Sequence, residues 1–151
     1  MRPAYPLTLL YDAACPVCSL EMDHLRARDA AGRLAFVDIA APGFDATAHG
    51  TTYAALDAEL HGVWADGTVV KGMSTLRAAY AAVGLGWVLR PTALAPVRPV
   101  FDLAYRLFAR YRRPISRAAA PLIDTVRARR TLARMARCRG GACDIAREDR
   151  S

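Results

Sequence analysis

Two cysteines separated by two residues, Cys15-Pro16-Val17-Cys18, carry the strongest chemical signal in this chain. Proline is favoured at the first position of a helix, where its missing N–H would have no carbonyl to meet. With Pro16 opening a helix, Cys15 becomes the N-cap and Cys18 the third helical residue. A thiolate at Cys15 then faces the unpaired N–H groups of Val17 and Cys18 and the positive end of the helix dipole. Both favour the anion, lower the Cys15 pKa and speed its attack on a disulfide. Cys18, one turn inside the helix, is placed to resolve the mixed disulfide. The pair therefore predicts dithiol–disulfide exchange, with Cys15 as nucleophile and Cys18 as resolving thiol. The blander reading is two unreactive cysteines, or half of a zinc site.

Three further groups bear on this chemistry. Asp12 lies three residues before Cys15, either to orient the loop and take the proton of Cys18, or simply to end a strand with backbone hydrogen bonds. Cys138 and Cys143 enclose Arg139-Gly140-Gly141-Ala142 near the C-terminus. They read as an auxiliary redox pair, as two thiols with no role, or as half of a four-cysteine zinc site. Against zinc stand the proline inside the first pair and the lack of a nearby histidine. His24 and His49 read as structural histidines. His61 is the exception, because a cationic ring near the cysteines would favour the thiolate.

The elements needed to position the dithiol are legible around it. Leu7-Thr8-Leu9-Leu10-Tyr11 is an apolar run ended by Asp12, suited to a buried strand. Ser19 to Ala30 continues a helix from the cysteines, closed by Gly32. Leu34 to Ile39 reads as a second strand, and Tyr53, Leu56 and Leu60 mark a helix over Thr51–Leu60. Gly62–Ala65 and Thr68–Lys71 flank Asp66-Gly67, a strong hairpin signal. Leu76, Ala79, Tyr80 and Val83 mark one more helix, ended near Gly84 and Gly86. The order β-α-β-α-β-β-α is that of a thioredoxin-like α/β core over residues 1–86, with the dithiol between the first strand and first helix.

Residues 87–151 read as a basic helical extension packed on that core, within a single domain. Val97, Val100, Phe101, Ala104, Leu107, Phe108 and Tyr111 form an apolar stripe, with Asp102, Arg106, Arg110 and Arg113 opposite. Pro114 is expected to break this helix, with a second helix running from about Ala118 to Met135. Trp87, Phe101, Tyr105, Phe108 and Tyr111 are expected to cover one face of the core.

Composition bounds the rest. The chain has 151 residues, 54% of them apolar, enough for one packed core. Residues 1–86 carry a net charge of −3 and residues 87–151 a net of +10, nearly all of the basic residues being Arg. A basic helix with an aromatic face suits a packed helix with a solvated side first, and peripheral contact with an anionic membrane second. No motif supports nucleic-acid binding. The longest uncharged stretch, Ala78–Leu89, is twelve residues, too short to span a bilayer. Nothing at the N-terminus resembles a signal or transit peptide, so the expected compartment is the cytoplasm. That compartment is reducing, which favours redox or metal roles for cysteine over structural disulfides.

Tyr11-Asp12-x-x-Cys15-x-x-Cys18 resembles the signature of the DCC-type thiol–disulfide oxidoreductase-like family. Leu60-His61-Gly62-Val63, Ala65-Asp66-Gly67 and Lys71-Gly72-Met73 resemble its central hairpin and next helix. Tyr105 to Arg112 resembles its tail helix, and Cys138-x4-Cys143 the cysteine pair of some members. The resemblance implies a thioredoxin-like fold and disulfide oxidoreductase activity, acting on a disulfide substrate with an external thiol reductant. No bound metal or organic cofactor is expected. Two departures stand out. Ala13 occupies a position where the family commonly has Gly. His61-Gly62 stands where thioredoxins place a cis-proline before the third strand, and the nearest upstream proline is Pro42.

Overall fold

The computed structural model describes residues 4–138. Strand β1 (Leu7–Tyr11) lies inside a four-stranded sheet of order β2-β1-β3-β4. It runs parallel to β2 (Leu34–Asp38) and antiparallel to β3 (His61–Trp64), which pairs antiparallel with β4 (Val69–Lys71). Both faces of β1 are covered, which is why it reads as a nearly continuous apolar run. Leu7 and Leu9 pack with Met22 and Leu25 of α1 (Pro16–Arg26) and with Ala79 and Ala82 of α3 (Met73–Ala82). Leu10 points the other way, into Ile39, Ala46 and Leu56 of α2 (Tyr53–Ala58). This is the thioredoxin-like α/β arrangement that the element order predicts, followed by C-terminal helices.

Several boundaries differ from the sequence pattern for local reasons. Helix α1 ends at Arg26, short of Ala30, because the Asp29 carboxylate accepts from the N–H groups of Arg33 and Leu34 at 2.9 Å each and turns the chain into β2. Helix α2 begins after Thr52, whose hydroxyl accepts from the Ala55 N–H at 3.3 Å. It stops before Leu60, which is held elsewhere. The hairpin turns at Asp66-Gly67, with Gly67 at φ 83° and the Asp66 carboxylate accepting from the Thr68 N–H. In β3, Gly62 is required by space, since a Cβ there would lie 2.8 Å from Thr75 Cγ2 and 3.0 Å from Leu7 Cδ1.

The larger correction concerns the tail. After the short α4 (Gly86–Leu89), one helix, α5, runs from Arg98 to Cys138 through both Pro114 and Pro121. Each proline removes a helical hydrogen bond, at a cost of about 3 kcal/mol in a free helix. Both are exposed, whereas Ala109, Arg112, Ser116 and Ile123 are buried on either side of them. Packing of that face holds the helix continuous.

Tyr105 and Phe108 face the core as expected, but most of the apolar stripe does not, only Val97 and Phe108 of it being half-buried. Val100, Phe101, Leu107 and Tyr111 are exposed, and Trp87 is 70% exposed. At 3.6 residues per turn the buried face lies roughly 100° round the helix from the stripe. It carries Tyr105, Ala109, Arg112 and Ser116. Specific polar partners on the core fix this rotation. The Leu60 N–H donates to Tyr105 Oη at 3.1 Å, and Arg77 pairs with Asp102 at 3.0 Å.

Candidate active site

The C-terminal end of β1 delivers a tightly bonded loop to the start of α1. Cys15 is the N-cap at φ −90° and ψ 109°, Pro16 opens the helix, and the Cys18 N–H donates to Cys15 Sγ at 3.4 Å. The Cys15 N–H donates to the Asp12 carbonyl at 3.1 Å, and the Ala14 N–H to Asp12 Oδ1 at 2.9 Å. Asp38, at the end of the neighbouring strand, accepts from the Ala13 N–H at 3.0 Å, and Ser19 Oγ donates to the Ala13 carbonyl. The loop is thus fixed without a glycine. Among the described residues no non-glycine has positive φ, so Ala13 is accommodated.

Helix α5 supplies the rest. Ser116 Oγ lies 3.2 Å from Cys15 Sγ, and both residues are buried, Cys15 at 3% exposure. One turn earlier on the same face, the buried Arg112 guanidinium meets Asp57 Oδ1 at 3.2 Å and Asp12 Oδ2 at 3.9 Å. Cys15 and Cys18 are both free thiols.

The electrostatics separate the two sulfurs. The Cys15 pKa falls from the ordinary 9.0 to about 6. The Cys18 thiol donating to it contributes most; burial opposes the fall, and Ser116, the Cys18 N–H and the Arg112 charge assist it. Cys18 moves upward, because its proton is held by Cys15, and because burial and the Cys15 charge disfavour a second thiolate. At neutral pH the pair is one thiolate and one thiol sharing a proton.

A cavity of about 310 Å³ opens beside Cys18, lined by Asp12, Glu21, Arg112 and mostly apolar side chains, Phe108 among them. His61 is fully buried, but its Nδ1 meets the Glu59 carbonyl at 2.9 Å and it does not line that cavity. The cis peptide bond among the described residues is Tyr5-Pro6, not one ahead of β3. Cys143 lies outside the described residues, and only the backbone of Cys138, the last residue of α5, lies within them. Among the described residues no group of three or more His, Cys, Asp or Glu is arranged to hold a metal ion.

Arg112 and Ser116 were not singled out by the sequence pattern. Their signal is the 3–4 spacing of Tyr105, Ala109, Arg112 and Ser116, masked by the stronger apolar stripe beside it.

A family model described as DCC1-like thiol-disulfide oxidoreductase matches residues 9–118. The chain belongs to the DCC1-like thiol-disulfide oxidoreductase family. The DCC1-like match takes in Asp12, Cys15, Cys18, Arg112 and Ser116, and ends before Cys138 and Cys143. The chain is 32% identical over 124 residues to an uncharacterized chloroplastic protein of Arabidopsis thaliana, a match covering 81% of this chain and 57% of that protein. This DCC1-like chain therefore spans little more than half the length of that relative. No solved structure matches it. No helix among the described residues is long and apolar enough to cross a membrane.

Proposed function

We propose that this protein performs dithiol–disulfide exchange through Cys15-Pro16-Val17-Cys18. The carrying observation is the Cys15 sulfur at a helix N-cap, within hydrogen-bonding distance of the Cys18 N–H and the Ser116 hydroxyl. The Cys15 thiolate attacks one sulfur of a substrate disulfide and the other sulfur leaves as a thiolate. Cys18 then loses its proton and attacks Cys15, which releases the second substrate thiol and closes the Cys15–Cys18 disulfide. Asp12 is suited to take that proton, since it lines the same cavity as Cys18. An external thiol reductant returns the dithiol. A reducing compartment such as the cytoplasm suits a site that must be restored to two free thiols.

Disulfide reduction by single variants tests this reading. Cys15→Ser is expected to abolish turnover, and Cys18→Ser to accumulate a mixed disulfide on Cys15. Two variants as active as the parent would overturn it.

The exposed stripe on α5, with the exposed Arg106, Arg110 and Arg117 on the opposite side of the helix, supports one addition, peripheral contact with an anionic bilayer. Salt-sensitive co-sedimentation with anionic vesicles is expected. Absence of binding at low salt would remove this addition and leave the dithiol chemistry untouched.

A further inference from the structure

Helix α5 closes the dithiol against large partners. Ser116 covers Cys15, and Tyr105 on the same helix takes the Leu60 N–H immediately ahead of β3. An extended peptide docks by pairing with free main-chain groups at a sheet edge. Beside this site Leu60 leads into an inner strand, and both its N–H and its carbonyl are already used, by Tyr105 Oη and the Gly72 N–H. What remains is the cavity with Cys18 in its wall, and its 310 Å³ lies at the low end of the roughly 300–1,000 Å³ of small-molecule sites.

The walls constrain the chemistry of an occupant. Leu10, Val17, Met22, Leu56, Leu60 and Phe108 supply an apolar surface. Asp12 and Glu21 set two carboxylates against the single guanidinium of Arg112, which is itself engaged by Asp12 and Asp57. The Glu21 carboxylate bonds Tyr80, but its Oε1 is buried with no hydrogen-bond partner, so an added anion there would meet like charge.

We infer that the substrate is a small, uncharged disulfide with an apolar body, held in this cavity with its S–S bond at the Cys18 wall, beside the adjoining Cys15 sulfur that Ser116 covers. This rests on the exchange reading above and deepens it. Cys15 forms a bond to one substrate sulfur as the S–S bond breaks. Cys18 then displaces that sulfur. The dithiol is oxidised by two electrons and the substrate is reduced to one thiol, which takes the proton of Cys18, and one thiolate, which takes a proton from water as its own pKa dictates. The external thiol reductant restores the dithiol.

The test uses the full, pre-reduced chain in single turnover with two chromogenic aromatic disulfides, neutral dithiodipyridine and dianionic dithiobis(nitrobenzoate), and with insulin. Each chromogenic rate is divided by its rate with free cysteine. The neutral compound is expected to be favoured by about tenfold or more, from the charge of the walls. Insulin is expected to oxidise the dithiol more slowly than the neutral compound. Glu21→Gln is expected to narrow the neutral-to-anionic ratio several-fold. A normalised ratio near one, or faster oxidation by insulin, would overturn the substrate inference alone. Failure of every disulfide to close Cys15–Cys18 would instead overturn the exchange reading beneath it.

Discussion

Ser116→Ala isolates the contribution of α5 to the thiolate. Ser116 is 1% exposed and its hydroxyl lies 3.2 Å from Cys15 Sγ, so once the sulfur is ionised the hydroxyl donates to it. A hydrogen bond to a charged group contributes about 1.5–3 kcal/mol. At about 1.36 kcal/mol per pH unit, its loss raises the Cys15 midpoint by about one to two units. From a starting value of about 6 the midpoint moves to about 7–8. At pH 7 the thiolate fraction then falls from about nine-tenths to between about one-tenth and one-half. The ultraviolet absorbance of the thiolate reports this without requiring reagent access to a covered sulfur, with Cys15→Ser as the blank. Ser116→Thr, which keeps a hydroxyl, is expected to hold the midpoint closer to the parent. An unchanged midpoint in Ser116→Ala, or a parent midpoint near 9.0, would refute the reasoning.

Three other outcomes follow from the same structure. Arg112→Met removes the guanidinium that pairs with Asp12 and Asp57, and the unfolding free energy read by urea is expected to drop by an amount near the low end of about 3–5 kcal/mol, because Asp57 is 40% exposed. A loss under about 1 kcal/mol would show the pair to be energetically idle. Stability of the reduced protein is expected to rise with pH from about 6 to 9.0, because the depressed Cys15 pKa leaves the folded state with fewer bound protons than the unfolded chain. The gain is bounded at roughly 4 kcal/mol, reverses above 9.0 where the raised Cys18 keeps its proton only when folded, and is expected to vanish in Cys15→Ser. A flat urea-midpoint profile across that range would contradict it. Gly62→Ala drives a methyl into Thr75, Leu7 and Val70 and is expected to cost about 1–3 kcal/mol, read by urea unfolding, and a neutral outcome would mean that β3 shifts freely.

Most of the core was legible because its signals are local. Leu7–Tyr11 shows its burial in its own composition, Asp66-Gly67 encodes its turn, and Pro16 places the sulfur of Cys15 by fixing where a helix begins. The tail was less so. Most of its apolar stripe is exposed, and the face that packs holds Arg112 and Ser116, whose burial makes sense only once Asp12, Asp57 and Cys15 are in place. Polar complementarity between residues a hundred positions apart has no periodicity to reveal it. Pro114 likewise suggests a break when read locally, while the burial of Arg112 and Ser116 on either side of it keeps the helix whole. For His61, the sequence offered a cationic neighbour for the dithiol, whereas the ring meets the Glu59 carbonyl.

The central claim is that Cys15 and Cys18 form a reversible dithiol whose reduced state is favoured by a stabilised thiolate. Equilibration of the full chain in graded thiol–disulfide buffers, with mapping of every cysteine, measures it directly. A single two-electron transition confined to Cys15 and Cys18 is predicted, at a potential above the −270 mV or so of thioredoxin, whose nucleophile has the higher pKa of about 7. No Cys15–Cys18 disulfide at any poise, or a potential below about −300 mV as in structural disulfides, would contradict the account.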